Sequence, residues 1–311
     1  MFCILLLASA ACAKKPTPPD DVIIDIGGTT APANTDHAGE PTAPAETEPA
    51  EETEVPTEAP TPEPTADPNL TPEPTEVPEL PEGQVLWLNT MPTDLAGLSR
   101  QEAEAWFADA VFIGDSVTLG WKNYNNNKLA SDPAFFGETH FLCEGSYGAG
   151  HALEPVSASS MHPVYQGEQH QIWDSIKLMG VKKVFMCFGL NDIAIYGVEG
   201  TVTNFGKVCD KILENVPDAK IYIIGAQYMY KGSEMTKLNN TNLRALNAGL
   251  RSMCAQRGFK FVDIASHLVD AEGYVLPQYS SDQYVHQTAA AYDIWADILR
   301  SVAAYDIVWG Y

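Results

Sequence analysis

Basic residues are scarce in this 311-residue chain, 18 Lys and Arg against 41 Asp and Glu, and residues 16–85 contain none. Neutralising phosphates needs grouped cations, so nucleic acid is excluded as a partner. Long apolar runs are missing too: nothing after residue 13 approaches the ~20 residues of a membrane-spanning helix. The seven His and six Cys form no CxxC and no HExxH, so no zinc site is indicated and no cofactor is expected. No serine lies in a GxSxG elbow, which argues against a standard α/β-hydrolase. The run from Gly200 to Val208 has five residues between its glycines instead of four, and Val208 where a phosphate loop needs Ser or Thr, so it is discarded.

What is abundant is concentrated. Residues 16–85 hold 17 acids and 16 of the 22 prolines, while residues 86–311 carry 24 acids and 16 bases, a net −8 out of the formal −23. Residues 1–13, MFCILLLASAACA, form a short apolar run ending in small residues, as at the end of a secretory signal. Leu7 to Cys12 resembles a bacterial lipobox, which makes Cys12 the candidate lipidation site; ordinary cleavage around Ala11 or Ala13 is the alternative. In residues 14–85 low hydrophobicity, one sign of charge and dense proline cannot offset chain entropy, so a disordered stalk is expected, with TPEPT at 61–65 returning at 71–75. Self-repulsion and proline extend it to a reach on the order of 100–200 Å. A lipid at one end and a domain at the other imply an exported protein at the outer face of a bacterial cytoplasmic membrane. Any membrane contact is expected through that anchor alone, and secretion is the alternative.

Residues 86–311 are long enough for one full core. Ser99 and Glu102 form a capping box that predicts a helix through Trp106 and Phe107. Short apolar runs follow at 110–113, 140–143, 183–188, 221–224 and 259–264, with helical patterns at 169–179, 202–215, 238–256 and 288–304. Near-continuous apolar strands alternating with helices predict a three-layer α/β/α, doubly wound, flavodoxin-like sheet of about five parallel strands. Ligands of such sheets bind beyond the carboxyl ends of the strands.

Four segments lie at those ends. Gly114-Asp115-Ser116 closes the first strand, where a serine hydroxyl and its N–H meet a helix N-terminus; an N-cap serine is the other reading. The second strand runs into Gly145, Tyr147, Gly148 and Gly150, a turn able to bring a backbone donor close to a ligand or simply to stay flexible. After the third strand come Gly189, Leu190, Asn191 and Asp192, where an Asn amide can face a developing oxyanion, or the run is an ordinary turn. Asp282 and His286 share a loop near the end, a spacing that lets the acid fix the imidazole tautomer; a surface or helix-capping histidine is the other reading.

Together these segments resemble the SGNH/GDSL hydrolase family over about residues 108–306, in its motif order. The resemblance implies Ser116 as nucleophile, His286 as general base and acid, and Asp282 as its orienting partner. It further implies an oxyanion hole of the Ser116 N–H, the Gly148 N–H and the Asn191 side chain, with Gly148 preferred over Gly145. The usual ending is Asp-x-x-His, whereas Asp282 and His286 are four apart. Asp115, Gly189, Tyr147 and Tyr284 are the candidate substrate neighbours, the two tyrosines because each lies in a motif loop.

The expected activity is hydrolysis of short acyl esters, O-acetyl groups of a cell-wall glycan or another acylated carbohydrate. Transfer of the same acyl group to a sugar hydroxyl, or glycan binding without turnover, are the alternatives. Cys143, Cys187, Cys209 and Cys254 fall mostly in apolar strands or helices and read as buried thiols, with disulfides among them the alternative in an exported chain.

Overall fold

The computed structural model describes residues 84–85 and 98–309. The expected signal segment, Cys12 and the expected stalk as far as residue 83 lie outside the described residues. Gln84–Val85, which composition places at the end of the stalk, forms a two-residue strand, β1. The Ser99 capping box is present: the hydroxyl accepts from the Glu102 N–H at 3.2 Å, and Glu102 Oε2 accepts the Ser99 N–H at 2.8 Å. Helix α1 (Arg100–Ala105) follows and passes through a 3-10 turn into β2 (Ala110–Gly114).

The chain continues with α2 (Ser116–Leu129), β3 (His140–Cys143) and the single turn α3 (Ala149–Ala152). A small antiparallel ribbon of β4 (Val164–Tyr165) and β5 (Glu168–Gln169) precedes α4 (Ile172–Met179) and β6 (Lys183–Cys187). Then come α5 (Ile193–Asn215), β7 (Lys220–Ile224), α6 (Asn240–Arg257), β8 (Lys260–Val262) and α7 (Ala289–Trp309). Helix α5 begins well before the expected residue 202, because a first turn precedes a break at Gly197 (φ 67°, ψ −176°).

The main sheet has the order β1-β8-β7-β6-β2-β3, and every pairing in it is parallel. Without the short edge strand β1 this is the five-stranded doubly wound arrangement expected. Helix α7 packs against α1 and α2, whereas α3, α4 and α6 each pack against α5. Right-handed crossovers place these two groups on opposite faces of the sheet.

Register is held by an aromatic row. Phe141, Phe112, Phe185 and Tyr222 are paired residue to residue across β3, β2, β6 and β7. Their ring centroids are 5.8, 4.8 and 4.4 Å apart in that order. A slip of one residue would turn a strand's aromatic to the opposite face, so the row locks β2 between β3 and β6. All of β2 is buried. That lock sets the carboxyl ends of β3, β2 and β6 side by side, and the chemistry-bearing segments leave from those three ends.

Candidate active site

At the end of β2, Asp115 takes the cap position of α2, its Oδ1 accepting from the Val117 N–H at 3.0 Å. Ser116 is therefore the first helical residue and not the cap. Its N–H finds no acceptor among the described residues, as expected for an amide in the first turn.

The Ser116 hydroxyl lies 2.9 Å from His286 Nε2, and His286 Nδ1 lies 2.5 Å from Asp282 Oδ2. A carboxylate can only accept, so Nδ1 carries the hydrogen and the Nε2 lone pair faces the serine hydroxyl. The four-residue spacing is absorbed at Gln283, which adopts φ +56°. Asp282 Oδ1 meanwhile accepts from the N–H groups of Tyr284 at 2.8 Å and His286 at 3.2 Å. One carboxylate thus folds its own loop and orients the ring. The His286 and Asp282 side chains are 44% and 33% exposed, so water reaches the relay.

The other side of Ser116 is polar and buried. Asn191 Nδ2 donates to Asp115 Oδ2 at 3.2 Å and to the Tyr147 carbonyl at 3.3 Å. The acceptor on Asp115 decides which end of the Asn191 amide carries hydrogens toward the site. Asp115 is 1% exposed, and its pKa is pushed up to about 7, first by burial. The Val117 N–H opposes that rise, the Asp192 charge adds to it, and His286 opposes it. The peptide whose carbonyl Asn191 holds ends in the Gly148 N–H, which has no acceptor among the described residues. Gly145, the alternative donor, instead gives its N–H to Glu144 Oε1 at 3.2 Å. Gly148 is extended (φ −156°, ψ 173°), so its backbone tolerates any residue; a Cβ there would run into the Asp192 carboxylate.

Three expected substrate neighbours do not have that part. The Tyr147 side chain is wholly buried, with its hydroxyl 3.3 Å from His162 Nδ1 and its ring edge-on to Phe188. Only its carbonyl faces the site, because the turn that presents Gly148 points the ring into the core. Asp115 is buried and engaged with Val117 and Asn191, so it orients and does not meet substrate. Gly189 is buried at φ +118°, a left-handed position where a Cβ would also lie 2.7 Å from Leu246 Cδ2; its role is the turn itself. Tyr284 remains partly accessible, its hydroxyl donating to Met235 Sδ at 3.3 Å. Asp192, read above only as part of a turn, proves to bind the Ala149 and Gly150 N–H groups.

Among the described residues no three His, Cys, Asp or Glu side chains converge closely enough to hold a metal, and no helix is long and apolar enough to cross a membrane. The four described cysteines are free thiols; Cys187, Cys209 and Cys254 are buried, and burial raises the pKa of each. A hydroxyl in contact with an oriented imidazole, beside unpaired N–H donors, can carry out acyl transfer through serine.

Solved structures similar to this chain include a GDSL-like lipase from Bacteroides thetaiotaomicron, at 17% identity and a TM-score of 0.47, covering 68% of this chain and 94% of that one. A mutant acetyl esterase with acetate ion is 14% identical with a TM-score of 0.41, covering 62% and 95%. An alpha/beta hydrolase from the metagenome of Lake Arreo, Spain, is 13% identical with a TM-score of 0.42, covering 62% and 94%. No curated protein matches the chain. Residues 112–294, more than half of the sequence, match the GDSL-like lipase/acylhydrolase family, and that span runs from inside β2 through the Asp282–His286 loop into α7. By that match the chain belongs to the GDSL-like lipase/acylhydrolase family and is a serine hydrolase of ester bonds.

Proposed function

We propose that the chain is a cell-surface esterase that removes short acyl groups, chiefly O-acetyl, from a carbohydrate or cell-wall glycan through an acyl-Ser116 intermediate. The observation that carries this reading is the unbroken contact from Asp282 through His286 to the Ser116 hydroxyl, at 2.5 and 2.9 Å. His286 Nε2 takes the Ser116 proton as Oγ bonds to the ester carbonyl carbon. The oxyanion that forms is held by the Ser116 and Gly148 N–H groups and by the Asn191 amide, whose hydrogen on the Tyr147 carbonyl, at 3.3 Å, turns to the oxyanion while the other stays on Asp115. The imidazolium then gives its proton to the departing alcohol oxygen as the C–O bond breaks. Water, deprotonated by His286, attacks the acyl group; the acid leaves, and the proton returns to Ser116 Oγ.

Hydrolysis over transfer is supported by the exposure of the relay to water. The glycan is supported by a stalk composition suited to crossing a wall and by Tyr284, a partly exposed aromatic residue two positions before His286. The test is turnover of p-nitrophenyl acetate, butyrate and octanoate by the full chain and by Ser116→Ala, followed by acetate release from O-acetylated wall glycans. Wild type should favour acetate and release acetate from the glycan, with Ser116→Ala folded and inactive. Turnover retained by Ser116→Ala, or a preference for octanoate with no glycan deacetylation, would overturn the proposal.

A further inference from the structure

The proposed chemistry leaves one buried carboxylate at the site without a task. Asp192 is 2% exposed, yet both of its oxygens are occupied. Oδ2 accepts from the Ala149 N–H at 3.0 Å, and Oδ1 from the Gly150 N–H at 2.8 Å. These amides open α3, which has only four residues, so the two direct hydrogen bonds, and not a helix field, hold the carboxylate. The Asp192 carbonyl in turn accepts from the N–H groups of Ile195 at 2.9 Å and Tyr196 at 2.8 Å, anchoring its backbone to the first turn of α5.

The sheet order shows what this bridge does. Strands β3 and β6 are not neighbours, because β2 lies between them. Asp192 leaves from beyond the end of β6, and the amides it holds belong to the turn beyond β3. The bridge therefore crosses the carboxyl end of β2, from which Ser116 projects. Leaving a carboxylate out of water is costly, and burial raises the Asp192 pKa while the Gly150 and Ala149 N–H groups pull it down. The side chain also presses on Gly148, where any Cβ would meet it.

We infer that Asp192 is a positioning residue: by clamping the Ala149 and Gly150 amides it fixes the preceding peptide, so that the Gly148 N–H and the Tyr147 carbonyl that holds Asn191 keep their places beside Ser116. The inference rests on the proposed acyl-serine chemistry, in which the Gly148 N–H and the Asn191 amide help to hold the oxyanion. A donor allowed to wander from its place acts like a donor lost, an effect on the order of 100-fold in turnover.

The test uses the full chain and the variant Asp192→Asn, of nearly the same size. Its oxygen can accept one of the two amides, but its NH2 group confronts the other. Turnover of p-nitrophenyl acetate is measured as kcat and KM, alongside inhibition by a short-chain trifluoromethyl ketone, which adds to Ser116 and places an oxyanion in the site. We expect kcat to fall on the order of 100-fold with KM changed little, and the inhibition constant to rise by a similar factor. A lowered melting temperature with kcat and inhibition unchanged in the folded protein would mean that Asp192 only supports the fold, and the inference would be wrong. Should Asp192→Asn fail to fold, Ala149→Pro decides: proline suits the first turn of a helix and the extended Gly148 before it, and it deletes one clamped N–H. Undiminished kcat in Ala149→Pro overturns the inference; a loss of kcat matched by weaker inhibition supports it. An inactive wild type would overturn the esterase reading itself and this inference with it, whereas an active wild type beside an equally active variant overturns only the role of Asp192.

Discussion

Asp115 should make the protein lose stability as pH rises from acid to neutral, and replacing it with Asn should remove that loss. The carboxyl is 1% exposed, and burial lifts its pKa from 3.8 to about 7. The folded protein thus keeps the Asp115 proton to a higher pH than the unfolded chain does. Where the native state binds more protons, unfolding free energy falls as pH rises. The stabilisation is complete below the unfolded value of 3.8 and is lost as pH rises to about 7. A rise of about three on the pH scale, at 1.36 kcal/mol for each, corresponds to roughly 4 kcal/mol. Urea unfolding of wild type and Asp115→Asn, followed by tryptophan fluorescence, measures the difference at several pH values; Trp121 and Trp295 are fully buried reporters. Groups common to both proteins cancel in that difference. Wild type should lose about 4 kcal/mol relative to the variant between pH 4 and 8. Catalysis should move the opposite way. Asn at 115 can still accept from Val117, but its NH2 would face Asn191 Nδ2, so the Asn191 amide must turn and present its oxygen to the oxyanion. That is one donor lost, about 3 kcal/mol or on the order of 100-fold in kcat. A stability difference that is flat across the pH range, or undiminished turnover in the variant, would refute the reasoning.

Asn191→Ala should leave a folded protein with kcat/KM down by roughly 100- to 1,000-fold on p-nitrophenyl acetate, since it removes one oxyanion donor. Asp282→Asn can offer an NH2 to His286 Nδ1 and so favour the tautomer with hydrogen on Nε2, facing Ser116; turnover near neutral pH should drop on the order of 10,000-fold with the circular dichroism spectrum unchanged. Far from the site, Glu104 is 2% exposed and ties α1 to α7, accepting from Arg100 Nε at 2.7 Å and from Arg300 at 2.6 Å. Glu104→Ala should cost about 3 kcal/mol in urea unfolding, the low end for breaking a buried pair, because Arg300 keeps Asp297 at 2.7 Å. Its kcat on p-nitrophenyl acetate should match wild type.

Much of the fold was legible because β2 is buried throughout and β6 and β7 are buried beyond their first residues, so each reads as a nearly continuous apolar run. The run at 140–143 coincides with β3, and those at 110–113, 183–188 and 221–224 differ from β2, β6 and β7 by one residue at an end. β1 was not legible, since two residues held by backbone pairing leave no side-chain pattern. The start of α5 was missed for a related reason. The break at Gly197 separates its first turn from the periodic remainder, so the pattern begins late.

At the site, the order of the motifs in the sequence, through the family they resemble, implied that Ser116 and His286 meet, although they stand 170 positions apart in the chain. What it could not determine is which way each side chain at those ends points. Tyr147 in a motif loop looked like a substrate contact, and only the packing of the turn against Phe188 and His162 turned its ring inward and left its carbonyl at the site. Likewise, Asp115 and Asp192 took their parts, one orienting Asn191 and the other holding the turn after β3, only when β3, β2 and β6 came together in the sheet. Apolar periodicity is local and survives in the sequence. The burial of a carboxylate and the donor it faces depend on neighbours brought from distant segments, and those exist only once the sheet has assembled.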